Sequence, residues 1–105
     1  MAQEAREPKQ PSEKVWYTIN FDAKEALIAG DSLATLLSLV CVLDPAGTVV
    51  TDTAIEPASP TIVGNKVTFL GIGGTDGQAY KYTAKVRTTL LEELEEDLIV
   101  RILEG

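Results

Sequence analysis

The sequence contains no histidine, a single cysteine, a single tryptophan and only nine basic residues among 105. Without histidine, the commonest general base and the commonest zinc ligand are both missing. No serine or threonine has an imidazole partner, so a Ser-His-Asp arrangement is excluded. One cysteine excludes an internal disulfide. Cys41 lies in the apolar run Leu39-Val40-Cys41-Val42-Leu43 without a basic neighbour to lower its pKa, and it reads as a small buried hydrophobe. The basic residues face 16 Asp and Glu, a net charge of −7. Nucleic-acid binding relies on Lys and Arg to displace counterions, so DNA and RNA are disfavoured as partners. The longest apolar stretch, Leu36 to Leu43, is broken by Ser38 and is too short to span a bilayer, so no membrane partner is expected. The N-terminus has no charged-then-apolar leader pattern, which points to a protein made and kept in the cytoplasm.

What the sequence does have is hydrophobic alternation. The hydrophobic content is 45%, enough for one folded core in a chain of this length. Residues 1–14 stand apart, with two prolines, six charges and no large apolar residue after Met1. They read as a flexible N-terminal arm, either a free tail or a segment that orders on a neighbouring subunit. From Val15 to Phe21 aromatic and β-branched residues alternate as in a strand. Asp22 to Leu27 fits one helical turn, ended at Gly30-Asp31. Leu33 to Leu43 reads as a buried strand, bent near Thr35, and Asp44-Pro45-Ala46-Gly47 as a turn. Thr48 to Ile55 reads as a polar edge strand, with Pro57 and Pro60 in a crossing between sheets. Thr61 to Leu70 reads as a hairpin turning at Gly64-Asn65. Gln78 to Thr89 is the clearest alternation, with Tyr80, Tyr82, Ala84, Val86 and Thr88 on one face. In the last segment, Leu90, Leu91, Leu94 and Leu98 make a helical stripe, while Leu98, Val100 and Ile102 alternate. We favour a hairpin with the acidic stretch at its turn and a final strand from Leu94 to Leu103.

Several motifs invite a chemical reading. Gly71-Ile72-Gly73-Gly74 lacks the Lys-Ser/Thr of a phosphate loop and no helix follows it, so it reads as a turn. Glu92, Glu93, Glu95, Glu96 and Asp97 lack the spacing and tight glycine turn of a calcium loop, and read as a solvated edge. Asp22 and Asp31 are better placed to cap turns than to act as an acid–base pair. Neither a catalytic site nor a cofactor or metal is expected. Trp16 and Tyr17 face opposite ways in one strand, so one of them points outward beside the arm as a protein-contact candidate. Arg87 and Arg101, on the last two strands, complete the set of candidate contact residues.

About seven short strands separated by Gly and Pro turns indicate an all-β antiparallel sandwich or barrel. Asp76-Gly77-Gln78-Ala79-Tyr80-Lys81-Tyr82 resembles the entry to the penultimate strand of immunoglobulin-like domains, where a tyrosine bonds back to nearby backbone; Tyr80 suits that role. The order of motifs also resembles a group of small tailed-bacteriophage proteins with an immunoglobulin-like fold, described as fibre–tail adaptors or tail- and neck-associated proteins. The matching residues are Tyr17-Thr18-Ile19-Asn20-Phe21-Asp22, Leu27 and Gly30-Asp31, then Gly73 to Tyr80, Val86-Arg87-Thr88-Thr89 and Leu98 to Ile102. The chain departs from the group at Leu90-Leu91-Glu92-Glu93, where a glycine is usual.

The resemblance implies an immunoglobulin-like antiparallel β-sandwich over 15–105 behind the arm. It also implies a non-enzymatic virion structural protein of the tail or neck, assembled in the host cytoplasm. Its partners would be other virion proteins of the tail or neck, and it would form a homo-oligomer through sheet edges and arm. A module recognising carbohydrate or a receptor is the alternative, weakened by loops without aromatics. A calcium-stabilised adhesion domain is a third reading.

Overall fold

In the computed structural model, which describes residues 3–5 and 7–104, the alternating segments form two sheets packed face to face. The strands are β1 (Gln3–Glu4), β2 (Val15–Asn20), β3 (Leu33–Asp44), β4 (Thr61–Val63), β5 (Lys66–Gly71), β6 (Ala79–Thr88) and β7 (Glu93–Arg101). Single helical turns, α1 (Glu25–Ile28) and α2 (Thr51–Ala54), lie between them. One sheet has the order β1-β7-β6-β3 and the other β2-β5-β4. Pairing is antiparallel except between β1 and β7, which run parallel. The all-β sandwich expected from the turn spacing is what forms.

The core follows from side-chain alternation. Strand β6 turns Tyr80, Tyr82, Ala84, Val86 and Thr88 inward, β7 adds Leu98 and Val100, and Ile102 follows. The second sheet answers with Ile19, Val67 and Phe69, all fully buried. Each large apolar side chain removed from water contributes about 1.5–3 kcal/mol before entropy is counted. The Tyr82 ring lies 4.7 Å from that of Phe69 and 6.4 Å from that of Tyr17, which joins the two sheets through aromatic contact. Its hydroxyl donates to the Ala54 carbonyl at 3.1 Å, so the buried oxygen is satisfied. Gly71 makes room for this cluster, because a Cβ there would stand 2.8 Å from the Tyr17 ring. At the entry to β6, the Tyr80 hydroxyl accepts from the Thr75 N–H at 2.9 Å, the backward closure its position suggested.

Three sequence expectations need correction. The stretch 48–55 is not a strand. Val49 bridges to Val42 in one sheet and Ile55 bridges to Gly71 in the other, so the chain must turn through α2 to reach both. The Thr51 hydroxyl accepts from the Cys41 N–H at 3.0 Å, replacing a ladder bond. Strand β3 is only half-buried: it ends its sheet, and register shifts at Leu33/Thr35 and Leu36/Ser38 bend it where the sequence suggested. The acids of the last hairpin lie mostly within β7 rather than at its turn. Glu93 meets Arg87 at 3.0 Å and Lys85 at 3.5 Å, while Asp97 accepts from Thr83 at 2.7 Å. Gln3–Glu4, in the segment read as an arm, pairs in parallel with β7.

The hairpin turn itself falls at Thr89 to Glu92, where Leu91 takes a φ of 71°. Leu91 falls within Leu90-Leu91-Glu92-Glu93, where the sequence resemblance leads one to expect a glycine. The left-handed conformation costs a side-chain-bearing residue about 1–2 kcal/mol. Leu91 is 78% exposed, so its side chain returns little packing. Replacing Leu91→Gly should therefore stabilise the protein by roughly 0.5–1 kcal/mol, the strain relieved less the entropy cost of glycine, read from urea midpoints. A loss of stability would show that Leu91 makes packing contacts that outweigh the strain.

Burial pushes the Cys41 thiol up to about 12 from its ordinary 9.0. The unfolded chain then loses its thiol proton first, so this contribution is intact below about pH 9 and is lost as pH rises towards 12. The stability difference between the wild type and Cys41→Ala should accordingly narrow across that range in parallel denaturant titrations. A constant difference would mean the thiol ionises as readily in the folded protein as in the unfolded one.

Candidate functional site

The segment before β2 lies along the outer edge of β7. The Ala5 N–H donates to Ile99 O at 2.9 Å, Lys9 N–H to Arg101 O at 2.8 Å, and Leu103 N–H to Lys9 O at 2.9 Å. At its start, the Gln3 side-chain amide donates to Asn20 O at 2.8 Å while its oxygen accepts from Asn20 N–H at 3.1 Å. One carboxamide thus does for Asn20 what a neighbouring strand would do, and ties the segment to the second sheet.

Lys9 is the anchor at the other end. It is 1% exposed, and its ammonium donates to the carbonyls of Gln10, Pro11 and Gly73. Burial lowers its pKa below the ordinary 10.5, an effect opposed by the nearby Glu13 carboxylate. Gly73 has a φ of 62°, and a Cβ there would come within 2.7 Å of the Thr53 carbonyl, so this turn needs glycine.

Between this segment and β2 lies a groove of about 550 Å³. Leu98, Val15 and Tyr17 line it together with Trp16 and Thr18, and Glu4, Glu7 and Glu13 stand along it. Trp16 is 60% exposed, the outward member of its pair. Tyr17 turns inward between Phe69 and Tyr82 and is half-buried. Arg101 reaches Glu4 at 3.4 Å, which places it beside the same segment. Arg87 is engaged with Glu93 at the opposite end of the β6–β7 pairing. Three of the four contact candidates therefore gather around the N-terminal segment, and Arg87 does not. Lys9 and Gln3 escaped notice in the sequence, because a lysine and a glutamine among charges and prolines look solvated.

What these elements define is a β-sandwich whose distinctive surface is a strapped sheet edge beside an open groove, a protein built for contact. The family model described as podophage GP4 fiber-tail adaptor protein gp77 matches residues 9–101, and the chain belongs to that family. It is a phage tail structural protein with an adaptor role. No curated protein and no solved structure matches it significantly.

If Lys9 holds the segment down, Lys9→Ala should free the pairing with β7 and leave the sandwich folded. Hydrogen exchange at Ala5, residue 9 and Leu103 should accelerate about tenfold or more, with the β6 amides unchanged. Unchanged exchange at those three positions would show that main-chain pairing alone is enough.

Proposed function

We propose that this protein is a non-enzymatic adaptor subunit that joins fibre to tail in the virion. In this reading it works as one member of a homo-oligomer and contacts its neighbours through sheet edges and the N-terminal arm. The carrying observation is the family match across nearly the whole sandwich. We read the sandwich as immunoglobulin-like. The Tyr80 closure at the start of β6 supports this, as does the division of β7, β6 and β3 from β2, β5 and β4.

Residues 1–14 act in this reading as a separable arm on the domain 15–105. Between Gln3 and Lys9 only Ala5 and Lys9, of the described residues, pack inward, so little apolar surface opposes release. Once released, the arm leaves the β7 edge open to a strand from a neighbour. Trp16, Tyr17 and Arg101 would line such a contact, and Arg87 would serve the far end of the outer face. The virion tail is the place of action, with assembly in the host cytoplasm.

Light scattering of the purified protein, followed by mixing with phage tail and fibre proteins, tests the reading. A defined oligomer that co-sediments with both is the expected result. A strict monomer that joins neither would overturn it.

A further inference from the structure

The two main-chain faces of β2 are not equivalent. Phe21 N–H donates to Asn65 O, and Val15, Tyr17, Ile19 and Phe21 share that side, towards β5. Asn20 bonds the other way, to Gln3. Alternation then directs the N–H and C=O groups of Trp16 and Thr18 away from β5 and towards the groove. The other edge of β5 agrees: Glu56 N–H donates to Leu70 O, the residue opposite Trp16, so Leu70 faces away from β2. Outside the β2–β5 ladder, no hydrogen bond among the described residues involves the main chain of Trp16 or Thr18.

The groove therefore has a strand-edge wall, an apolar floor at Leu98 and Tyr17, and Gln3 closing one end in the manner of a strand. Among the described residues that line it, three acids, Glu4, Glu7 and Glu13, outnumber the one cation, Lys9. Glu7 and Glu13 have no cationic partner within salt-bridge distance among the described residues, and Lys9 is buried beneath carbonyl groups. The whole chain adds a net −7. A strand entering here gains main-chain bonds to Trp16 and Thr18, and cationic side chains on it meet the acids.

We propose that this groove receives an extended segment bearing lysine or arginine from a partner protein, added as a strand to the free edge of β2. The partner's identity as a tail or fibre component rests on the adaptor reading; the chemistry of the segment rests on the groove.

Trp16, the single tryptophan, stands at the groove and reports its occupancy. The probe is a capped six-residue peptide alternating valine and lysine, with a control carrying glutamate in place of lysine. The basic peptide should shift Trp16 emission to the blue and bind more weakly as salt rises, and the acidic one should do neither. Thr18→Pro removes the outward N–H, a change that edge strands tolerate. It should keep the wild-type melting temperature and weaken binding about tenfold. The exposed pair Glu7→Lys and Glu13→Lys should weaken it without touching the edge. No response to the basic peptide, an equal response to the acidic one, or undiminished binding by Thr18→Pro would overturn the proposal. So would self-association that Thr18→Pro abolishes, which would make a second copy the occupant. Co-sedimentation with tail and fibre proteins separates the two readings. If Thr18→Pro joins them as well as wild type, the groove proposal falls and the adaptor reading stands. If wild type joins neither, the adaptor reading falls while the peptide titration still decides the groove.

Discussion

The tilted ring contact between Tyr82 and Phe69 is the one on which the sandwich turns. The two sheets belong to different hydrogen-bonded ladders, so side-chain packing must hold them at a fixed separation. Tyr82 fills the space between them and fastens its hydroxyl to Ala54, in the segment that crosses from one sheet to the other. Around it the permitted sizes are narrow: Cys41 opposite in β3, Tyr17 to one side, and at Gly71 nothing at all. A single ring thus sets sheet spacing, crossing and the orientation of Tyr17. Tyr17 packs against it, and strand alternation turns its neighbour Trp16 outward.

Alternation made the central strands readable. Along β6 every second residue from Tyr80 to Thr88 is buried, β5 follows the same rule, and β2 alternates between half-buried or buried and exposed residues, so local pattern and global fold agree. Reading failed where a long-range contact chose the conformation. Thr48 to Ile55 has the composition of an edge strand, but its two bridges lie on different sheets. The leucines from Leu90 to Leu98 offer a helical stripe, and pairing with β6 overrides it. The fold as a whole was legible; the surface less so. Trp16 could be named from parity alone, whereas the roles of Gln3 and Lys9 depend on acceptors at Asn20 and Gly73, far away in sequence.

The edges of the sandwich are treated unequally. The outer edge of β3 is covered at its end by the chain around Thr48 to Thr51, and register shifts bend the remainder, which discourages pairing with other chains. The edge of β7 is covered by the N-terminal segment through main-chain bonds and one buried lysine. That of β2 is clasped, among the described residues, only at Asn20. Such a gradation, from bent to strapped to open, suits a protein that must meet certain neighbours and avoid others.

The parallel pairing of β1 with β7 also imposes an order of events. Gln3–Glu4, Ala5 and Lys9 leave the ribosome long before Leu98 to Leu103, with which they pair. During synthesis the segment has no edge to lie on, and the loop to be closed spans nearly the whole chain. Docking therefore belongs to the final stage of folding, after β6 and β7 have paired. A newly made subunit passes through a period in which its core is complete and its last edge is bare.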